Sequence, residues 1–225
     1  MRKLIYVPVI HTSADLGSVA EEATRRGIAG LGEDFWEEHR KTVDGFWDAI
    51  SHYFDSIDVA GMKIYQDGMV ADGEVAEKLV EQGVKTGSKN YELVARLLKR
   101  GSVLVKTEEI KLVKQELDRL LAITQAKSFL KKLMAFIRYK LIKNRLLKRR
   151  DEFIAKRIDE TLDHGEEGII FIGAFHNIKR RLPKSILITE IKNTEKVREY
   201  QKLLPSCQKD GERFEELRKY LRSSR

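Results

Sequence analysis

Short apolar runs alternate with longer amphipathic stretches along the chain, and this alternation predicts strands and helices in turn. The apolar runs lie at residues 4–10, 57–65, 102–105, 168–173 and 185–191. Runs this short and this apolar are typical of strands buried on both faces of a parallel sheet. Between them, apolar residues recur at steps of three and four, as on one face of a helix. The pattern therefore predicts one α/β domain over residues 1–225, with a mainly parallel sheet flanked by helices.

The longest helical pattern begins near Thr107, which we expect to cap it, and continues to about His164. No glycine or proline interrupts residues 107–163, so this stretch is one very long helix or two helices in a hairpin. We expect the hairpin. Near the N-terminus, Ser13 is expected to cap a first helix that Gly27 closes.

Residues 107–164 are also the basic part of the chain. From Arg119 to Arg150 there is no acidic residue, whereas eleven residues are Lys or Arg. Such a charge run either forms a solvated face or meets nucleic acid, anionic lipid or an acidic partner. Its few aromatic residues argue against base stacking. We expect at most weak, salt-sensitive contact with a polyanion, and more readily a helix–helix surface that makes this region an insertion or a dimerisation arm.

Composition narrows the class of protein further. The formal net charge is +8, the apolar fraction is 42%, and Cys207 is alone, which excludes an intrachain disulfide and a cysteine-based metal cluster. No apolar run approaches the length of a membrane span, and the N-terminal run lacks the features of a signal peptide. We therefore expect a protein of the cytoplasm.

Chemically useful side chains follow three of the predicted strands. His11 and Thr12 come after the first strand, Asp67 after the second, and His176 and Asn177 after the run that Gly173 ends. Ligands of open α/β sheets bind at the carboxyl ends of the strands. Two strands that each deliver a histidine to that edge could make one site. In the alternative interpretation, both histidines are ordinary strand-end residues bonded to nearby carbonyl groups, and the Asp67-Gly68 pair is only a turn.

Three segments in this order resemble the signatures of the TraB/PrgY family, which includes the Tiki proteins. They are the His-Thr-Ser of residues 11–13, the Gly-x-x-His of residues 173–176, and Arg150-Asp151 at the start of a helical segment that continues to residue 158. The first signature departs from the family pattern, because Pro8 stands where the family has glycine. The basic region is not part of the family signature.

The resemblance implies an α/β sheet with both histidines at one site. In the Tiki branch it implies metal-dependent cleavage of peptides, whereas most of the family has no settled reaction. The expected substrate is accordingly a peptide or a small molecule.

Two imidazoles and a carboxylate suffice to hold a divalent metal with an open position, where bound water becomes a nucleophile. The expected ligands are His11, His176 and Asp67, with Glu108 or Glu190 as alternative acids. Arg150 would stabilise developing negative charge or pair with the acid. Gly173, Thr12 and Asn177 are the expected cofactor-binding residues.

Two other mechanisms stay open at this stage. A metal-free enzyme would use one histidine as a general base. A non-enzymatic binding or regulatory protein would instead use the basic helices to contact a polyanion or a partner chain, and its histidines would be structural.

Overall fold

A computed structural model describes residues 1–12, 15, 20–206 and 211–223. Ser13 and Cys207 lie outside the described residues. The strands are β1 (Arg2–Val9), β2 (Lys63–Gln66), β3 (Val103–Val105), β4 (Glu167–Gly173) and β5 (Ile186–Glu190). The helices of the described residues are α1 (Ala20–Leu31), α2 (Glu33–Asp55), α3 (Gly73–Lys85), α4 (Lys89–Lys99), α5 (Ile110–Thr124), α6 (Phe129–Thr161), α7 (Thr194–Leu203) and α8 (Gly211–Arg222).

The five strands form one sheet in the order β3-β2-β4-β1-β5, and every neighbouring pair is parallel. The predicted α/β fold is therefore confirmed. Strand β4 lies between β1 and β2, with Gly173 opposite Val9 and Phe171 opposite Gln66. Because the strands are parallel, the carboxyl ends of these three neighbours open onto the same edge of the sheet.

Alternate residues of the strands enter two hydrophobic cores, one on each face of the sheet. Ile5, Val7 and Phe171 pack on the face covered by α2, α4 and α8. Tyr6 and Ile170 point to the opposite face. That second face is covered by the C-terminal half of α6, through residues that include Ile154 and Ile158, and by Leu162 directly after the helix. This alternation explains why the strand sequences are apolar at consecutive positions.

The region 107–164 forms a hairpin of two helices, α5 and α6. A short turn over residues 125–128 joins them, and the Ser128 hydroxyl caps α6 by accepting a hydrogen bond from the Lys131 amide at 3.4 Å. Tyr139 of α6 donates to Glu116 of α5 at 3.3 Å. Within the described residues, none of the helices combines the length and the apolar character that a bilayer-crossing segment requires.

Three element boundaries differ from the sequence prediction. Helix α1 continues through Gly27, where the absence of a side chain lets the Trp36 ring pack against the helix. Strand β2 begins only at Lys63 rather than at residue 57, because the preceding residues turn at Gly61 with a positive φ of 75°. Thr107 does not cap α5. Its hydroxyl donates to the Val105 carbonyl at 2.9 Å and accepts from the Gln66 amide at 3.0 Å, so it closes the ends of two strands.

Helix α2 carries a half-buried histidine at its contact with α7. The Nδ1 atom of His39 is 2.8 Å from the Tyr200 hydroxyl, and the imidazole packs beside the ring of Trp36 with the ring centroids 5.1 Å apart. Burial, and to a smaller degree the charge of Arg218, lowers the pKa of His39 from 6.5 to about 4. The folded protein therefore holds this imidazole neutral in mildly acidic solution.

We predict that His39 makes the folded state lose stability as the pH falls from about 6.5 to about 4. In that range the unfolded chain binds a proton that the folded chain does not, so protons favour unfolding. Substitution His39→Gln should reduce this loss of stability. The free energy of unfolding, obtained from urea denaturation at several pH values across the range, measures the effect. The control is His52→Gln, at an exposed histidine of the same helix, which should lose stability with falling pH as the wild type does. An unchanged slope in His39→Gln would contradict the prediction.

Candidate active site at the carboxyl edge of the sheet

Three neighbouring strands deliver the polar side chains of this site. Asp67 follows β2 directly, His11 lies two residues after β1, and His176 lies three residues after β4. Because β4 stands between β2 and β1, the side chains that follow the three strands meet above its carboxyl end. A turn brings His176 back over the strand, since its amide donates to the Gly173 carbonyl at 3.0 Å.

Both histidines face one oxygen of Asp67. The Nε2 atom of His176 is 3.6 Å from Asp67 Oδ2, and the Nε2 atom of His11 is 4.0 Å from the same oxygen. Gly173 lies at the centre of the three. A β-carbon at this position would be 3.3 Å from Asp67 Oδ2, 3.5 Å from His176 Cδ2 and 3.6 Å from His11 Nε2. Glycine therefore keeps open the space that the two imidazoles and the carboxylate share.

The Asp67 carboxylate is fixed on both oxygens. Oδ2 accepts a hydrogen bond from the Gly173 amide at 3.0 Å, and Oδ1 accepts one from Arg150 Nη2 at 2.7 Å. The Asp67 amide also donates to the Phe171 carbonyl at 2.9 Å, which continues the β2–β4 pairing by one residue. Gly68 has a positive φ of 79°, so the Asp67-Gly68 pair does form the predicted turn. Asp67 is therefore both a turn residue and a residue of the site.

Arg150 of α6 connects Asp67 to two further carboxylates. Its Nε donates to Glu108 Oε2 at 2.6 Å, its Nη2 also contacts Glu108 Oε1, and its Nη1 contacts Glu116 of α5. Glu108 in turn accepts a hydrogen bond from the Gly68 amide at 2.9 Å. The contacts of Arg150 therefore correspond to ion pairing with the acid, the second of the two roles expected for it.

Asp151, the next residue of α6, orients the second histidine. His176 Nδ1 donates to Asp151 Oδ1 at 2.6 Å, and the Asn177 amide donates to Asp151 Oδ2 at 3.0 Å. Arg198 of α7 supports the same turn by donating to the Ala174 carbonyl at 2.8 Å. With Nδ1 engaged as a donor, the lone pair of the neutral imidazole is on Nε2, which faces Asp67.

The first histidine is positioned by the residue that follows it. The Thr12 amide and hydroxyl both donate to Asp15 Oδ2, at 2.6 and 2.9 Å. The Ser88 hydroxyl, which caps α4, contacts the other oxygen of Asp15. Thr12 thus links the end of β1 to the start of α4, while about two fifths of the His11 side chain stays exposed to solvent.

Burial and neighbouring charges shift the pKa values at this site in different directions. Burial raises the pKa of Asp67, but His176, Arg150 and His11 outweigh that effect and hold the pKa far below its usual range. Burial lowers the pKa of His176, but Asp67 and the hydrogen bond to Asp151 outweigh it and leave the pKa raised. Burial, reinforced by Asp67, raises the pKa of Glu108 despite its bond to Arg150. The negative charges of Asp67 and Asp151 thus favour the cationic form of His176, whereas burial disfavours the anionic form of Glu108.

The structure brings together most of the residues that the sequence predicted. His11, His176, Asp67, Gly173 and Arg150 share the cluster, while Thr12 and Asn177 contribute amides to the carboxylates that border it. Of the alternative acids, Glu108 contacts Arg150, whereas Glu190 instead contacts Lys179 and accepts from the Thr194 amide at 3.0 Å.

Two carboxylates of the cluster were missed by the sequence argument. Asp151 carried a usable signal, because it stands beside Arg150 in the helix that leads into β4, although that helix begins at Phe129 rather than near Arg150 as the sequence suggested. Glu116 carried none, because its partner Arg150 lies 34 residues away and only the fold of the hairpin brings them together. Over the described part of the chain, no three His, Cys, Asp or Glu side chains already stand in the arrangement of a metal site.

Comparison with protein-family models, with curated proteins and with solved structures finds no match to this chain.

We predict that Gly173→Ala disturbs the site more than it disturbs the fold. The added methyl group would lie only 3.3 Å from Asp67 Oδ2, so this carboxylate, which is held by two hydrogen bonds and faces both imidazoles, must shift by a few tenths of an ångström. We expect a loss of about 1–3 kcal/mol in stability. The matched control is Gly168→Ala near the other end of β4, whose methyl group would meet Tyr65, Leu162 and Leu4 instead. NMR resonances of the His11 and His176 rings should shift in Gly173→Ala and stay unchanged in Gly168→Ala. Equal shifts in both variants would contradict the prediction.

Proposed function

We propose that this cluster is the catalytic centre of a metal-dependent hydrolase of the TraB/PrgY type, acting on a peptide or a small molecule. The observation that carries the proposal is the convergence of His11 Nε2 and His176 Nε2 on one oxygen of Asp67. The convergence occurs at the carboxyl edge of a parallel sheet, where α/β proteins bind their ligands. Gly173 leaves room there for a reacting group to approach.

The chemistry of the donor set fits a divalent metal ion. Two imidazole nitrogens and a carboxylate oxygen are the ligands of many catalytic zinc sites. Donors that share an ion at about 2.0–2.2 Å can be no more than about 4 Å apart, and the distances from Asp67 Oδ2 to the two nitrogens meet that limit. Asp151 supports the fit as well, because metal-bound histidines commonly donate their other ring nitrogen to a carboxylate.

The charge balance of the cluster also favours a cation. Asp67, Glu108, Glu116 and Asp151 supply four carboxyl groups, and Arg150 supplies one permanent positive charge. An excess of buried negative charge is costly unless protons or metal ions neutralise it. A divalent ion between the two histidines would neutralise part of it.

In the proposed mechanism, each residue of the chain has a definite task. His11, His176 and Asp67 would hold the metal, which when bound would supply a water molecule activated as a nucleophile. Asp151 fixes the His176 ring and its tautomer, and Arg150 fixes Asp67. The Tyr91 hydroxyl, whose pKa is raised to about 12 by burial and by the charges of Asp67 and Asp15, stays protonated and available as a hydrogen-bond donor.

Two alternatives make different demands on the same residues. If His176 acts as a general base without metal, hydrolysis should survive chelators and still require the imidazole. If the protein is a non-enzymatic binding or regulatory protein, the histidine cluster is structural. Replacing it should then reduce stability without abolishing any reaction.

We predict that the wild-type protein binds one equivalent of a divalent transition metal and that the double variant His11→Gln/His176→Gln loses it. Metal content after dialysis against Zn²⁺, Mn²⁺ or Co²⁺, together with titration calorimetry, measures the effect. His52→Gln removes an exposed histidine of α2 that is not part of the cluster and should retain the metal. Asp67→Asn should weaken binding by about tenfold or more, because one anionic ligand is lost. Full metal content in the double variant would refute the site.

The hydrolase assignment has its own test. Incubation of the metal-loaded protein with a mixed peptide library and with small ester and amide substrates, followed by mass spectrometry, should reveal products that the double variant does not form. If both proteins bind metal as predicted and no bond is cleaved, the metal site stands and the assignment as a hydrolase falls.

A further inference from the structure

The outward face of α6 carries a stripe of exposed apolar side chains near the hairpin turn. Its members recur at steps of three and four: Leu130, Leu133, Met134, Ile137 and Leu141, which are 42–77% exposed. Tyr139 lies on the opposite side of the helix, where it contacts α5 through Glu116. The apolar stripe therefore points away from α5. Two more exposed rings, Phe129 and Phe136, lie to one side of it, about 100–120° around the helix axis from Leu130.

Basic side chains border the apolar stripe on both sides. Lys131, Arg138 and Arg145 recur at steps of seven along one border, and Lys140 lies on the other. No acidic residue interrupts residues 119–150. This face of the hairpin is thus both strongly apolar and positively charged. Exposed apolar patches of this kind commonly mark interaction sites.

We propose that the apolar stripe is a docking surface for an anionic lipid bilayer, on which the outer half of α6 lies in the plane of the interface. Leucine, isoleucine and phenylalanine side chains enter the boundary between headgroups and acyl chains, while flanking Lys and Arg reach the phosphates. A lipid surface of negative charge satisfies both properties of the face at once. This inference concerns the hairpin alone and does not depend on the chemistry of the histidine site.

The same charges disfavour the other occupants. In a two-fold pairing of two copies, each basic border would face a basic border, because a symmetric interface uses the same surface twice. A nucleic acid would satisfy the charges but leave the leucines and isoleucines in water, since it offers stacking to aromatic residues rather than an apolar phase.

The test is flotation of the full-length protein with lipid vesicles. Vesicles of phosphatidylcholine containing phosphatidylglycerol should carry the protein upward, vesicles of phosphatidylcholine alone should carry much less, and added salt should weaken the association. The triple variant Leu133→Ser/Ile137→Ser/Leu141→Ser should lose roughly tenfold or more of the binding. The charge variant Lys131→Glu/Arg138→Glu should also lose binding, but mainly at low salt.

Two controls keep the outcome interpretable. Val75→Ser and Leu187→Ser remove exposed apolar side chains elsewhere on the surface and should float like the wild type. Circular dichroism should show all variants folded, because the altered side chains are outside the buried core. The proposal is overturned if the triple variant binds vesicles as well as the wild type does, or if the wild type does not bind anionic vesicles. So does a dimer in sedimentation equilibrium that the triple variant abolishes, or binding confined to RNA.

Discussion

The ion pairs of Arg150 are the interaction on which the site and the hairpin both depend. One guanidinium, almost fully buried, contacts Glu108 before α5, Glu116 within α5 and Asp67 after β2. Removal of one partner from a buried ion pair typically costs about 3–5 kcal/mol, because the remaining charge is left uncompensated. The charge of Arg150 thus allows the carboxyl groups to gather at the sheet edge, and its geometry fixes where the hairpin leaves the sheet.

The fold class could be predicted because both the short apolar runs and the helical repeat of three and four residues were clear in the sequence. The strand order could not be predicted, because it depends on contacts between residues that are far apart in the chain. The run that became β4 was correctly recognised as a buried strand. Its place between β1 and β2 depends on pairing between Val9 and Gly173, which are far apart in the chain. The boundaries that differed, at Gly27 and Thr107, were decided by tertiary contacts with Trp36 and Gln66 that override local propensity.

The candidate site could be predicted as far as it depends on one rule, that the carboxyl ends of parallel strands lie at the same edge of the sheet. That rule was enough to group His11, Asp67 and His176 before their distances were known. It could not distinguish Glu108 from Glu190, because both lie near strand ends and only Glu108 contacts Arg150 of α6. Nor could it find Glu116, whose role depends on the register of two helices against each other.

Helix α6 is one uninterrupted element of 33 residues that begins at the exposed hairpin turn and ends beneath the sheet. At 1.5 Å per residue, the part between Phe129 and Arg150 measures about 30 Å. A helix of this length, braced by α5, acts as a rigid spacer. The hairpin turn is therefore held about 30 Å along the helix axis from Arg150, which contacts Asp67 of the histidine pocket, and this spacing is set by the length of a helix rather than by a flexible linker.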